Sequence, residues 1–217
     1  MVTVDQPCYG DLKRAYAADV PGATPGAPTD VAPMLETLVA GAPLHDVAFR
    51  GLTFSYATWF TPDRPQGFPQ TIGSWYYANG SAGYRMPGAV SFRGAEHIDV
   101  EDNRFTHLGG TALVLSQVGS ANAVDGNVID DASGGGVEVR GHGGNNRVED
   151  NWIHDIGIDY RGSIGLSLEG SPNATVAHNQ VDDVPYSGIW CGSPHGLHVV
   201  GNLVFNAVRT VPDGGGI

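Results

Sequence analysis

The sequence predicts an all-β fold, a right-handed parallel β-helix of six to seven three-sided coils, and three observations predict it. A short segment recurs five times, as Val100–Phe105, Val124–Ile129, Val148–Ile153, Val176–Val181 and Val199–Val204. Each has Val first, Asn fourth and an apolar residue sixth, and the Asn residues at 103, 127, 151, 179 and 202 step by 24, 24, 28 and 23. Behind a glycine (110, 136, 165 or 188) comes a second apolar strand: Thr111–Val114, Val137–Val139, Leu166–Leu168 or Ile189–Cys191. Finally, 32 Gly and 14 Pro among 217 residues, with only 16% charged, fit many short strands joined by tight corners.

Two strands and two corners in about 24 residues leave no room for a helix in each repeat, since a strand residue already rises ~3.3 Å. Leucine-rich repeats share the length, but their Leu ladder is missing. In a coil stack the same position in successive turns superposes at the strand spacing of ~4.8 Å. The Val and Ile columns then fill the interior. Asn at a corner tolerates left-handed backbone angles and hydrogen-bonds the Asn above and below. The five Asn residues are therefore read as fold, not as site.

Taken in order, residues 1–44 do not fit the repeat. A strand at about Val2–Val4, a Pro/Gly-rich linker from Pro21 to Pro33 and the run Met34–Val39 are expected to cap the first coil, because a bare solenoid end exposes strand edges and core. The β-helix proper is expected over 45–217. Its first coil is His45–Phe54, with Phe49 and Phe54 inward and Leu52 in the Asn position. An insertion at about 59–86 follows, rich in Pro and Gly and holding Trp59, Phe60, Phe68, Trp75, Tyr76, Tyr77 and Tyr84. Loops this long are functional or disordered, and the aromatics argue against disorder; they fit sugar stacking and the plugging of a solenoid face equally well. The chain closes on Asp213-Gly214-Gly215-Gly216-Ile217, the opening of a further strand with no polar cap, so an incomplete C-terminal coil is expected.

A net charge of −12, from 23 acids against 11 bases, disfavours nucleic acid and anionic lipid, and no basic stripe is visible. No run reaches the ~18 apolar residues that span a bilayer. Met1–Asp5 lacks the basic and apolar parts of a signal peptide. Cys8 and Cys191 are far apart, which favours free or buried thiols over a disulfide framework or a zinc site.

Chemistry concentrates at the corner after each Asn segment. Four residues past each Asn stand His107, Asp131, Asp155, Asp183 and Asn206. Asp131, Asp155 and Asp183 are expected to superpose on neighbouring coils, where crowding should raise at least one pKa. One protonated and one ionised carboxyl is what glycoside hydrolysis requires. Capping of corner N–H groups is the plainer role for any single Asp. Glu138 and Glu169 are expected to be solvated outward residues. His154, His178 and His195 lack metal-ligand spacing and read as hydrogen-bonding corner residues. Gly141-His142-Gly143 after Asp130-Asp131 matches part of a polygalacturonase pattern, but the Arg-x-Lys partner is absent and Lys13 is the only lysine. An acidic column holding Ca²⁺ would suit a polysaccharide lyase, for which only Arg140, Arg161 and Arg209 stand in the relevant coils as bases.

The runs Phe49–Trp59, Phe105–Gly110 and His178–Ile189, together with Asp213–Ile217, resemble the bacterial β-helix glycoside hydrolases of the family 141 type over about residues 34–217. Asp-x-Pro-Tyr-x-Gly-Ile and Asp-Gly-Gly-x-Ile are the more specific parts. The resemblance implies hydrolysis of plant or host glycans, with α-L-fucosidase and xylanase activities in the family. It implies two catalytic aspartates on neighbouring coils, carried over as Asp183 and Asp213. The family has a longer, Trp-containing loop after its Pro-Tyr strand and continues for several coils beyond Asp-Gly-Gly, which implies that this chain is a piece of a longer protein.

The expected function is thus a glycoside hydrolase acting on an oligo- or polysaccharide, without metal or cofactor, in a secreted or periplasmic parent protein. Asp183 and Asp213 are the expected catalytic pair, with Asp155 in support, and Trp59, Trp75, Tyr76, Tyr186, His154 and His178 the expected substrate-binding residues. A non-catalytic glycan-binding or adhesive solenoid is the first alternative and the Ca²⁺-dependent lyase the second.

Overall fold

The computed structural model describes residues 2–3, 44–59, 68–70, 75–78, 82–117, 119–192 and 195–217; at 2–3, 68–70, 75–78 and 82–84 only the backbone is described. The expected linker at 21–33, the run Met34–Val39 and Cys8 lie outside these residues. Three parallel sheets form the walls of the solenoid. Sheet I stacks His45–Arg50, Glu96–Glu101, Ala123–Asp125, Arg147–Glu149, Thr175–Ala177 and His198–Val200. Sheet II stacks Thr53–Ser55, Arg104–Thr106, Val128–Ile129, Trp152–His154, Gln180–Asp182 and Leu203–Phe205. Sheet III stacks Gly88–Arg93, Thr111–Ser116, Val137–Arg140, Leu166–Glu169 and Ile189–Gly192, with Val2–Thr3 antiparallel at its outer edge.

Each coil therefore has three strands rather than two. The Asn segment bends in its middle, and its halves belong to sheets I and II. The bend comes from the residue before the Asn: Gly51, Asp102, Gly126, Asp150, His178 and Gly201 all have φ between 53° and 66°. Left-handed geometry was expected at the Asn itself. It falls one residue earlier, on Gly, Asp or His, which accept αL most readily.

The Asn side chains do form the ladder. Asn103 donates to Asn127 at 3.1 Å, Asn127 to Asn151, Asn151 to Asn179 and Asn179 to Asn202, each at 2.9 Å. At the first coil the backbone N–H of Leu52 donates to Asn103 Oδ1. A second ladder, unforeseen in the sequence, closes the corner from sheet III back to sheet I through Asn122, Asn146 and Ser171.

The inward columns are in register: Phe49, Val100, Val124, Val148, Val176 and Val199 in sheet I, and Leu113, Val137, Leu166 and Ile189 in sheet III. Phe54 stacks on Phe105 with ring centres 4.9 Å apart. The apolar surface buried at each rung stabilises the stack by roughly 25 cal/mol per Å². Val199, the last rung, is 39% exposed where Val176 is fully buried. Gly136, Gly165 and Gly188 also form a column, and a Cβ on any of them would strike the carbonyl oxygen of the glycine one turn on, at 2.4–2.7 Å. Gly110 stands two residues out of that column, where Ala112 pairs with the Gly135 carbonyl.

About five complete turns are present among the described residues, fewer than the expected six to seven: sheets I and II have six parallel strands and sheet III five. Phe68–Gln70, Trp75–Ala78 and Ala82–Arg85 make a three-stranded antiparallel sheet inside the 59–86 insertion. No helix among the described residues is long and apolar enough to cross a membrane.

Candidate functional site

The corner from sheet II to sheet III carries the polar column. Tyr56, His107, Asp131, Asp155, Asp183 and Asn206 all have φ between 48° and 63°, so one left-handed position repeats through six coils. Tyr56 stands four residues past Leu52, the residue in the Asn position of the first coil, and so extends the column by one turn. The superposed acids do not share partners. The Asp131 carboxylate meets His107 Nδ1 one turn back, while Asp155 meets the neighbouring His154 Nδ1 at 2.9 Å. Asp183 Oδ1 accepts from Arg209 Nη1 at 2.6 Å. Arg209 belongs to the next turn, so it crosses the corner to reach this acid.

The loop after Asn206 lies along the preceding turn. Val208 N–H donates to the Tyr186 carbonyl at 2.8 Å, Thr210 N–H to that of Pro185 at 3.0 Å, and Ile189 N–H to that of Gly216 at 2.9 Å. This lays Asp213-Gly214 against Pro185-Tyr186: a Cβ on Gly214 would come within 2.9 Å of the Tyr186 ring and 3.0 Å of Ser187 Oγ. Asp183 and Asp213 thus stand on consecutive turns at one corner. Tyr186 is only 7% exposed and forms the floor beneath Gly214, not an open stacking platform. Asp213 is exposed.

The other sequence candidates spread out. His154 stacks on Trp152 with ring centres 4.1 Å apart, on the outer face of sheet II beside Asp155. His178 sits at the opposite corner, between sheets I and II, 3.6 Å from Asp150, and is separated from the aspartate corner by a strand of sheet II. Trp59 meets Tyr160 edge-on at 5.5 Å, and its backbone packs against Gly109. The backbones of Trp75 and Tyr76 lie in the middle strand of the insertion, with Trp75 opposite Arg85, and their side chains lie outside the description. No group of three or more His, Cys, Asp or Glu among the described residues is arranged to hold a metal ion.

A second cluster lies on the outer face of sheet III. Glu138 was expected in solvent; it is 2% exposed instead, because Arg85 on the last insertion strand covers it. Arg85 donates to Glu138 Oε1 at 2.8 Å and to Glu169 Oε2 at 2.6 Å, while Arg140 Nε lies 3.2 Å from Glu138. Burial pushes the Glu138 carboxyl above the usual Glu range, outweighing Arg140 and Arg85, and lowers the Arg140 guanidinium. Glu138 Oε2 has no hydrogen-bond partner among the described residues. Glu169 keeps 46% of its side chain exposed and borders a cavity of about 520 Å³ with His142, Trp190 and His195. Alternation on Val137–Arg140 and Leu166–Glu169 pointed these charges outward. Nothing in the sequence told where Arg85 would land.

Comparison with known proteins agrees with the architecture. The profile of the family described as right handed beta helix region matches residues 77–217. A solved structure titled "Glycoside hydrolase" superposes with a TM-score of 0.58 at 22% identity, covering 71% of this chain and 32% of that one. The chain therefore spans about a third of that structure's length. No curated protein matches the sequence.

Proposed function

As the chain belongs to the right-handed β-helix family, we propose that it is a carbohydrate-active member of the fold, a glycoside hydrolase or part of one. The observation that carries the reading is the backbone bonding of the loop after Asn206 to Pro185, Tyr186 and Ile189, which brings Asp213 one turn on from Asp183 at the corner between sheets II and III. Two carboxyl groups flanking one bond are what glycosidic cleavage needs. One donates a proton to the leaving oxygen. The other attacks the anomeric carbon if the pair is ~5–5.5 Å apart, or activates a water if it is ~6.5–9.5 Å apart. Arg209 orients Asp183. Asp155 and His154, one turn back, would take sugar hydroxyls in this reading. The occurrence of the same fold in a glycoside hydrolase supports the reading. A secreted or periplasmic location, where plant and host glycans are met, goes with this reading.

The test is a screen of aryl glycosides and plant polysaccharides with the wild type and with Asp183→Asn and Asp213→Asn. Each variant should lose about 10²–10⁴-fold in turnover. The unfolding midpoint should barely move, since the exposed Asp183–Arg209 pair contributes at most ~1 kcal/mol. Unchanged hydrolysis in either variant contradicts the assignment. Glycan binding without cleavage is the second reading, favoured by Arg209 already occupying one oxygen of Asp183; a sugar bound but never consumed identifies it.

A further inference from the structure

Sheet III ends in a site separate from the aspartate corner. The strand Ile189–Gly192 runs from one to the other, four residues or ~13 Å at 3.3 Å each. At its far end three successive turns contribute to one cavity: His142 from the first, Glu169 from the second, Trp190 and His195 from the third. Its volume of about 520 Å³ falls within the ~300–1,000 Å³ of small-molecule sites.

Two of the lining side chains, Glu169 and Trp190, are held in place. Arg85 grips the Glu169 carboxylate, and buried Glu138 in turn grips Arg85, so Glu169 meets a ligand with its orientation already set. The Trp190 indole folds back over Gly192: a Cβ there would come within 2.3 Å of the ring's far edge. Glycine at 192 thus makes the room in which the ring lies. An indole face takes the C–H face of a pyranose, while a carboxylate and two imidazoles take its hydroxyls. The exposed carboxylate of Glu169, in a chain of net charge −12, disfavours an acidic sugar.

We propose that this cavity, walled by His142, Glu169, Trp190 and His195, is a second carbohydrate site that binds a neutral oligosaccharide remote from the aspartate corner. The proposal rests on the functional reading in one respect, that the ligand is a glycan. It needs no cleavage. The site would hold a neighbouring stretch of polymer while the aspartates act elsewhere on it.

Calorimetric titration of full-length Asp183→Asn with cellotetraose, xylotetraose and digalacturonate tests it, alone and combined with Trp190→Ala or Gly192→Ala. At least one neutral sugar should bind, digalacturonate should not, and each added substitution should weaken binding at least tenfold. Gly192→Ala removes no polar group, so its effect reports the displaced ring, and an unchanged thermal midpoint shows that the fold is intact. If the wild type cleaves glycosides but the combined variants bind as tightly as Asp183→Asn alone, the second site is overturned and the hydrolase reading stands. If nothing is cleaved yet binding depends on Trp190, the hydrolase reading falls and the second site stands. Binding of digalacturonate alone, or of no sugar, overturns the proposal.

Discussion

Asn151 shows what a single corner position does in this molecule. Its Oδ1 accepts from the backbone N–H of Asn127 at 3.0 Å and from the Asn127 amide at 2.9 Å, while its own amide reaches the carbonyls of Val124 and Glu149 at 2.9 and 2.7 Å. Asn151→Ala leaves these buried groups unpaired and should cost about 2–4 kcal/mol, since each orphaned buried group costs ~1–3. Asn202→Ala, at the less buried last rung, should cost about 1 kcal/mol, and urea unfolding measures both. The Asn ladder was legible because identical residues recur at near-constant steps. The left-handed position before it was not, because Gly, Asp and His all serve there. The second ladder hid for the same reason: its third rung is Ser171, whose hydroxyl does the work of an amide.

Among the elements, the insertion matters most for the outer face of sheet III. Its last strand delivers Arg85 to Glu138 and Glu169, contacts spanning 53 and 84 residues. Composition marked the insertion as ordered and aromatic, but a contact made once, with no repeat behind it, leaves no periodic trace. Burial raises the Glu138 carboxyl, so the folded protein holds that proton more tightly than the unfolded chain does. The associated stability is complete below the ordinary Glu range near 4.5 and is lost as pH rises through the higher folded value. Glu138→Gln should flatten this decline. Arg85→Ala, which removes a cation, should steepen it. Melting temperatures measured across the pH range check both slopes, and parallel curves for all three proteins contradict the burial argument.

Over the whole molecule, function follows from stacking. A strand spacing of ~4.8 Å converts residues a full repeat apart into neighbours, so acids at 155 and 183 come together without any local motif joining them. Spacing alone made Asp131, Asp155 and Asp183 legible as one column. It could not select Asp213, which enters through the loop bonded to Pro185 and Tyr186 rather than through the column itself. It also could not foresee that the three acids take separate partners in His107, His154 and Arg209. The most direct test of the stacked corner is covalent, in a Cys8→Ala, Cys191→Ala background. Asp155→Cys with Asp183→Cys places thiols on adjacent turns, where the Cα spacing suits a disulfide. Asp131→Cys with Asp183→Cys places them two turns apart, at roughly 10 Å. Mild oxidation should link the first pair and leave the second as free thiols. A linked second pair with an unlinked first would contradict the superposition on which the whole account depends.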